Sequence, residues 1–259
     1  MCGAGGTGLK ILDAIYRRKS VRDFMDNEIE EDLMNRIWSR LLQTRLLYEK
    51  SKIKFVISDY CKKSNYAPYY IGVYTDNTKE GKMNAGFVLQ QLSIYLSAIG
   101  IASCYQAKSV IFKSVDAEGM KLAISMAVGY PENCMYRELE EIARMPLSKI
   151  SVIKEKPNEE VERLLTLARI APSCYNVQPW RFVVYHNRIH VFVKKKMLSR
   201  ISHFKYVNMG IMLGNVCIGA EEMWIDIRFK EVADIKKKNY GDNEYILTIL
   251  NKNVDGRSI

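Results

Sequence analysis

Apolar positions near the start of the chain recur at helical spacing. They predict a helix over residues 9–17 and a longer helix over residues 30–48. Residues 54–58 and 70–74 are short and rich in β-branched and aromatic side chains, which is typical of strands. The chain is thus predicted to open with two helices followed by two strands.

The middle of the chain predicts a long apolar helix over residues 84–99, which a glycine ends. A strand follows over residues 122–128, and the Gly-Tyr-Pro sequence at 129–131 marks its end. The segment after Tyr136 is predicted to return to helix before Pro146.

The same order of elements then begins again. The pattern predicts a helix over 159–170, strands over 181–185 and 189–194, a long apolar helix over 209–224 and a closing strand over 245–250. Three pairs keep step between the two long helices at an offset of roughly 125 residues: Gly86 with Gly210, Leu89 with Leu213, and Ile94 with Ile218. This offset is too long for a solenoid repeat and suits a duplicated half-domain.

Helices that flank a mixed sheet without strict strand–helix alternation predict the α+β class. The 259 residues are 48% hydrophobic and 26% charged, an ordinary globular composition, and a chain of this length can bury one large core or two small ones. A duplicated half is expected to fold as an internal pseudo-dimer with one shared interface.

No stretch approaches the run of about 18 apolar residues that spans a bilayer, and the N-terminus lacks the pattern of a secretory signal. A soluble, cytoplasmic protein is therefore expected. The six cysteines are scattered without a Cys-x-x-Cys pair, and the three histidines offer no zinc spacing with them. Reduced thiols and no metal site are expected.

The charge balance points to an anionic partner. Lys and Arg exceed Asp and Glu by 39 to 29, a formal net charge of +10, which permits binding of nucleic acid or of an anionic small molecule. The basic residues are spread along the chain, and the compact run at 236–238 is interpreted as a solvated turn. A phosphate-bearing small molecule needs only two or three of these charges, so no nucleic acid is expected.

Residues 3–8 satisfy the Gly-x-Gly-x-x-Gly dinucleotide pattern. That pattern has meaning only between a strand and a helix N-terminus, where backbone amides face a pyrophosphate. Only two residues precede it here, so we interpret residues 1–8 as a flexible N-terminal extension.

Residues 17–24, Arg-Arg-Lys-Ser-Val-Arg-Asp-Phe, concentrate four cations and a hydroxyl at a helix end. Arginine offers bidentate geometry, lysine a point charge and serine a short neutral donor, so the segment can wrap a phosphate dianion. The alternative is a basic helix end that complements the helix macrodipole.

A second segment, residues 168–182, leaves a helix at Pro172 and then enters a strand. Within its loop lie Ser173, Asn176 and Gln178, three neutral hydrogen-bonding side chains that suit a polar, uncharged ring edge. The alternative is a capped helix end followed by a turn, which accounts for Ser173 and Pro172 but not for the whole run.

Together these segments resemble the nitroreductase-like family of FMN flavoproteins. The family's Arg-Arg/Lys-Ser-x-Arg-x-Phe sequence matches residues 18–24, and its Ala-Pro-Ser-x-x-Asn-x-Gln-Pro-Trp-x-Phe loop matches residues 171–182. Gly86, Gln90, Gly100 and Cys104 look like the family's Gly-x-x-x-Gln helix and Gly-x-x-x-Cys strand, and residues 126–131 resemble its Gly-Tyr-Pro ending.

In ordinary members the two segments lie close together in one subunit and are exchanged across a dimer, whereas here they lie about 150 residues apart. In the first half, Leu-Gln-Thr-Arg-Leu-Leu at 42–47 stands at the position of the Ala-Pro-Ser loop. In the second half, Arg-Met-Pro-Leu-Ser at 144–148 stands at the position of the basic, phosphate-binding segment. This is similar to the fused subgroup whose single chain imitates the family dimer. It implies a first half over 9–143, a second half over 144–259, and one complete and one degenerate flavin site. The oligomeric state would be a monomer that mimics a dimer, or a weak homo-oligomer.

The resemblance also implies which residues bind FMN. Arg18, Lys19, Ser20 and Arg22 would hold the phosphate and ribityl chain, with Arg144 as a second phosphate clamp; Pro172, Ser173, Asn176 and Gln178 would line the isoalloxazine; Cys104, Gln106, Ala107 and Lys108 would pass its far edge. Lys108 there would stabilise negative charge on the reduced flavin. No side chain is expected to act as a catalytic acid or base, because flavin N5 performs the hydride chemistry, and the Cys174 thiol is expected simply to pack.

The implied activity passes a hydride from NADH or NADPH through FMN to a nitroaromatic, a quinone or a similar acceptor. The alternative is a flavin-binding or redox-sensing protein without efficient turnover. Gln106-Ala107-Lys108 replaces a Gly-rich continuation, and Asn208 stands where relatives often carry aspartate. These departures bear on the acceptor and on turnover more than on flavin binding. The sequence names neither the acceptor nor the nucleotide donor.

Overall fold

The structure, a computed structural model, describes residues 8–59, 61–62, 67–107, 110–111 and 119–252. Its helices are α1 (Ile11–Arg17), α2 (Glu31–Leu42), α3 (Lys79–Ala98), α4 (Leu147–Ile150), α5 (Glu159–Ile170), α6 (Ser199–Ser202), α7 (Lys205–Glu222) and α8 (Ala233–Lys236). Its strands are β1 (Ile53–Ser58), β2 (Cys61–Lys62), β3 (Tyr69–Thr75), β4 (Ala102–Gln106), β5 (Val110–Ile111), β6 (Lys121–Gly129), β7 (Ser151–Ile153), β8 (Trp180–Tyr185), β9 (Arg188–Lys194), β10 (Ile227–Lys230) and β11 (Asn243–Asn251).

Two main sheets divide the strands by their position in the chain. The first has the order β1-β3-β6-β4 and is antiparallel throughout. The second has the order β10-β11-β9-β8-β7, with one parallel pair, β7 with β8. Strands β2 and β5 form a separate two-stranded ladder. The mixture of sheets and helices confirms the predicted α+β class.

The long helices α3 and α7 cross at the centre of the molecule, where two glycines permit their close approach. A Cβ atom on Gly86 would lie 2.0 Å from the carbonyl oxygen of Val207. A Cβ atom on Gly210 would lie 1.9 Å from the carbonyl oxygen of Met83. Gly210 follows Gly86 by 124 positions and Val207 follows Met83 by 124 positions, so the crossing is pseudo-symmetric at nearly the offset that the sequence repeat predicts.

The hydrophobic cores do not follow the predicted halves in every detail. One cluster of buried side chains joins α2 and α3 to the first sheet. The other surrounds α5, α7 and the second sheet, and it includes Ala14 and Ile15 of α1. Helix α1 therefore packs into the core of the second half although it belongs to the predicted first half. The boundary at residue 143 stays a prediction.

Several predicted elements differ from the observed ones. The helix predicted to reach residue 48 ends at Leu42, because the following segment turns toward α3, where the backbone N–H groups of Leu47 and Tyr48 donate to Asn84. Helix α3 begins at Lys79, since Thr78 caps it by accepting from the N–H of Gly81. The prediction of a helix after residue 136 was wrong, because the segment forms only a short 3₁₀ turn, Leu139–Glu141.

Among the helices that the structure describes, none is long and apolar enough to cross a membrane. The same residues contain no cluster of histidine, cysteine or acidic side chains that could hold a metal ion. Cys104, Cys174 and Cys217 are free thiols, as expected. Cys134 is disulfide-bonded, which corrects the expectation of reduced thiols at that position.

Candidate functional site

A cavity of about 290 Å³ lies where the two halves meet. The first half contributes the segment after α1 together with β4 and β6, and the second contributes the loop after α5 and one face of α7. Its lining residues are Ser20, Arg22, Cys104, Tyr105, Gln106, Ala107, Ile124, Pro172, Ser173, Cys174, Tyr175, Asn208 and Ile211. The cavity is therefore composite, with walls that neither half supplies alone.

The loop after α5 has an unusual backbone. Tyr175, Asn176 and Gln178 have φ angles of 49°, 56° and 44°. All three lie in the left-handed region, which residues other than glycine seldom adopt. Such conformations persist where surrounding contacts over-determine them, and they cluster at functional sites. Here the contacts include Gln178 N–H to Ser173 Oγ at 3.0 Å and Cys174 N–H to Asn208 Oδ1 at 2.9 Å.

Arg18 is a buried cation beside this cavity; it is not among the lining residues, but it interacts electrostatically with the lining side chains Tyr105 and Cys104. It is only 4% exposed, and burial lowers the pKa of its guanidinium, while the nearby Tyr105 and Cys104 side chains act in the opposite direction. One guanidinium nitrogen reaches the Lys19 carbonyl at 3.5 Å, and Nε has no partner within the described residues. A buried guanidinium in this state is suited to an anionic ligand.

Three more arginines belong to the same cluster: Arg18 repels Arg137 and Arg144, and Arg169 repels Arg144. Burial, together with repulsion from Arg137, Arg18 and Arg169, lowers the pKa of Arg144 to about 10. The three outer side chains are held by backbone carbonyl oxygens: Arg144 Nε donates to Ala171 at 3.0 Å, Arg169 Nε to Met145 at 2.9 Å and Arg137 Nε to Tyr16 at 3.2 Å. Cations that repel one another gain from a shared anion, and a phosphate dianion has the charge and the acceptors for this role.

Asn176 and Gln178 lie beside the cavity lining rather than in it. Asn176 Nδ2 donates to the Ala143 carbonyl at 3.0 Å, and Gln178 Oε1 accepts from Met145 N–H at 2.8 Å. Gln178 also donates to Asn176. The two amides therefore tie the loop to the segment that carries Arg144, and so position that arginine.

The remaining predicted site residues divide into three groups. Seven line the cavity: Ser20, Arg22, Cys104, Gln106, Ala107, Pro172 and Ser173. Lys19 is exposed and is not among the lining residues. Lys108 lies outside the described residues. That these side chains bind a cofactor stays a prediction.

Several lining residues were not predicted as site residues, namely Tyr105, Ile124, Tyr175 and Ile211, and Asn208 was expected only as a departure from the family pattern. The repeat held a usable signal, because Asn208 and Ile211 follow Asn84 and Phe87 by 124 positions. Tyr105 donates to Gln90 Oε1 at 2.8 Å, so its hydroxyl is engaged behind the cavity wall.

The two thiols in the cavity are protonated at neutral pH. Burial raises the pKa of Cys174 to about 11. Burial also raises the pKa of Cys104, although Arg22 and Arg18 oppose this effect. Since the thiolate is the nucleophilic form, both cysteines are suited to packing rather than attack.

A second cavity of about 390 Å³ occupies the pseudo-symmetric position. It is lined by Arg45, Leu46, Leu47, Phe87, Cys217, Ala220, Glu221, Ile225, Asp226, Ile227, Arg228, Phe229 and Lys252. At the 124-residue offset, Arg228 replaces Cys104 and Phe229 replaces Tyr105. Arg45 forms an ion pair with Glu221 at 2.5 Å at this cavity. The second cavity is thus lined by charged residues that differ from the residues of the first cavity.

The fold is similar to that of solved nitroreductases. A crystal structure of a putative nitroreductase from Thermotoga maritima MSB8 superposes with a TM-score of 0.67 at 18% identity, covering 96% of this chain and 97% of that one. The chain belongs to the family described as "Putative TM nitroreductase", which matches residues 10–220. The predicted nitroreductase-like fold is therefore confirmed, and the chain takes its place among the nitroreductase-type oxidoreductases.

Other solved structures match about half of the chain. A nitroreductase family protein from Clostridium difficile 630 has a TM-score of 0.46 at 15% identity, covering 54% of this chain and 96% of that one. A nitroreductase with bound FMN from Desulfitobacterium hafniense DCB-2 has a TM-score of 0.40 at 16% identity, covering 52% of this chain and 98% of that one. No curated protein matches the chain.

Proposed function

We propose that the chain binds one FMN in the composite cavity and passes a hydride from NADH or NADPH to a nitroaromatic, a quinone or a similar acceptor. The observation that carries this proposal is the continuity of two features. Apart from Arg22, the cavity walls along β4 and the loop after α5 are neutral, and Arg18, beside this lining, belongs to a cluster of arginines. A phosphorylated planar ring has the same division into an anion and a neutral ring.

The residues present fit this group. Arg18 Nε and Asn208 Nδ2 are buried and have no hydrogen-bond partner within the described residues. The site therefore holds two unpaired hydrogen-bond donors. Leaving a buried donor unsatisfied costs about 1–3 kcal/mol. A ligand with phosphate oxygens at one end and ring acceptors at the other would relieve that cost.

In this proposal Arg18, Lys19, Ser20 and Arg22 hold the phosphate and ribityl chain, with Arg144 as the second clamp. The loop residues Pro172 and Ser173 lie against the ring, and Asn176 and Gln178 keep the loop and Arg144 in place. Cys104, Gln106, Ala107 and Lys108 pass the far edge.

Bound FMN would supply the hydride acceptance and donation, and the protein would supply position and electrostatics. The described lining carries no carboxylate or histidine, and burial raises the pKa values of the Tyr105 hydroxyl and the two thiols. These side chains stay neutral at pH 7, so they exclude water and shape the ring pocket without exchanging protons. We place the reaction in the cytoplasm and propose that a single chain suffices.

The test begins with purified protein and FMN. We expect a yellow protein with one FMN per chain, reduced anaerobically by NADH or NADPH and reoxidised by a nitro compound or a quinone. Colourless protein that takes up no added FMN would overturn the proposal. A bound flavin that neither nucleotide reduces would instead support a flavin-binding protein without turnover.

The composite nature of the site has its own measurement. Residues 9–143 and 144–259, expressed separately, should each fail to retain FMN, whereas the full chain retains it. Flavin retained by either segment alone would contradict a site built from both.

A further inference from the structure

Asn208 presents a buried donor that finds no acceptor within the described residues. The side chain lies on α7, lines the cavity and is 1% exposed. Its Oδ1 accepts from the Cys174 N–H at 2.9 Å, while Nδ2 makes no hydrogen bond. A backbone N–H can only donate, so this bond fixes which end of the amide is the oxygen and leaves Nδ2 as the unmatched end.

The pseudo-symmetric residue shows that an asparagine at this position can be fully satisfied. Asn84 precedes Asn208 by 124 residues and lies at the equivalent point of α3. Its Oδ1 accepts from the N–H groups of Leu47 and Tyr48, both at 2.9 Å, and its Nδ2 donates to the Tyr48 carbonyl at 2.7 Å. Both asparagines anchor the loop beside them. Of the two, only Asn208 has an unpaired N–H donor and only Asn208 lines the proposed cofactor cavity.

The loop anchor alone does not require this donor. Anchoring Cys174 N–H needs an acceptor, which the aspartate that relatives often carry at this position would also provide. The amide is therefore a departure that the anchor does not explain, and the structure, unlike the sequence, relates it to the cofactor cavity. An amide adds only Nδ2, and a buried donor without an acceptor costs about 1–3 kcal/mol. Tyr105, the neighbouring hydroxyl in the lining, is already committed to Gln90, so it does not duplicate what Nδ2 offers.

We propose that Asn208 Nδ2 donates a hydrogen bond to an acceptor atom on the planar ring of the bound cofactor, a carbonyl oxygen or an unprotonated ring nitrogen. Asn208 is then a specificity-determining residue: one end of its amide holds the loop at Cys174, and the other selects a ring with an acceptor edge. This inference rests on the proposed function. Where the bonded atom gains negative charge on reduction, the donor also stabilises the reduced ring.

Two substitutions separate the donor from the anchor. Asn208→Asp keeps an acceptor for Cys174 N–H and removes the donor, and Asn208→Leu removes both. We expect each to weaken FMN binding at pH 7.5 about tenfold, or about 1.4 kcal/mol, and to lower the flavin midpoint potential. Asn84→Asp is the matched control at the equivalent position and should leave affinity and potential unchanged. Circular dichroism verifies that each variant is folded.

The pH dependence of FMN affinity in Asn208→Asp distinguishes a donor to the cofactor from a purely structural role of Asn208. A buried carboxyl has a raised pKa, and in its protonated form it again offers a donor. The FMN affinity of Asn208→Asp, taken relative to Asn84→Asp at the same pH, should therefore recover between pH 7.5 and 5, while Asn208→Leu should not recover.

Several results would overturn the inference. Wild-type affinity in Asn208→Asp at pH 7.5 would assign any loss in Asn208→Leu to the Cys174 anchor. A loss confined to Asn208→Asp, or one that does not recover at low pH, would assign it to the added charge. If the wild type itself binds no FMN, the proposed function fails first and this inference with it, whereas equal binding by all four proteins removes the inference alone.

Discussion

Gln90 and Asn215 join the two central helices through a buried hydrogen bond, in which Gln90 Nε2 donates to Asn215 Oδ1 at 2.8 Å. The bond belongs to a longer polar chain. Tyr105, in the cavity wall, donates to Gln90 Oε1 at 2.8 Å, and Asn215 Nδ2 donates to the Leu167 carbonyl of α5 at 2.7 Å. The cavity wall of the first half is thus fixed to a helix of the second half by three consecutive hydrogen bonds.

The first prediction concerns these three consecutive hydrogen bonds. Gln90→Leu leaves the Tyr105 hydroxyl and Asn215 Oδ1 without a partner, and Asn215→Leu leaves Gln90 Nε2 without one, so each should cost about 1–3 kcal/mol in the free energy of unfolding. The double variant should cost less than the sum, because it leaves neither end of the Gln90–Asn215 hydrogen bond unpaired. Urea denaturation of all four proteins measures this coupling, with the exposed Gln43→Leu as control. Strict additivity would mean that the two amides do not interact.

The second prediction concerns the helix crossing. Gly86→Ala should destabilise the protein by about 1–3 kcal/mol or more, because its Cβ would lie 2.0 Å from a backbone oxygen that cannot move without separating the helices. Gly81→Ala in the same helix is the matched control, since its nearest neighbour, at 2.3 Å, is the side-chain oxygen of Asp76, which can rotate away. Chemical denaturation compares the two. Equal losses would contradict the prediction that the backbone contact at Gly86 sets the effect.

The third prediction concerns the arginine cluster. Arg18→Ala should weaken FMN binding by roughly 10- to 150-fold, because a charge-assisted hydrogen bond contributes about 1.5–3 kcal/mol. The apo protein should be no less stable, because burial already disfavours this cation and the other arginines repel it.

Arg163→Ala removes the same charge from an exposed helix position and should change neither quantity. Isothermal titration calorimetry and thermal melts give the two readings. An apo protein strongly destabilised by Arg18→Ala would indicate a structural role instead.

The fourth prediction concerns the pH dependence of stability. Burial, with a smaller contribution from Arg188, lowers the pKa of His190 from 6.5 to about 4. Between these values the unfolded state binds a proton that the folded state does not, so this residue makes the protein less stable as the pH falls from about 6.5 to 4.

His190→Gln should flatten the fall in denaturation midpoint over that window, even if it lowers stability at pH 7 by losing the contact with Thr248. His186→Gln, at an exposed position, should keep the wild-type slope. If the His190→Gln slope also matched the wild type, His190 would not be the titrating group.

The elements most readable from the sequence were those with strong periodicity. The strands near residues 54, 70 and 122 and the helix over 159–170 lie within one residue or so of their predicted bounds. The four-residue helices α4, α6 and α8 escaped prediction, because so short a segment has too few positions to show a period.

The site was predictable as two sequence segments but not as a geometry. Residues 18–24 and 171–182 were identified from residue type and order, and seven of the predicted side chains line one cavity. The sequence could not show that Asn176 and Gln178 turn toward the segment at 143–145, because that depends on three left-handed backbone positions within the loop.

By itself, the sequence determined the duplicated order of elements, the α+β class and the cationic and neutral polar segments, because these follow from local periodicity and residue chemistry. Tertiary structure decided what the two copies of each position became. Asn84 and Asn208 are the same residue at equivalent points, yet one is fully hydrogen-bonded and the other keeps a free donor beside a cavity. Hydrogen-bond satisfaction depends on neighbours brought in from the other half of the chain, and local sequence does not contain them.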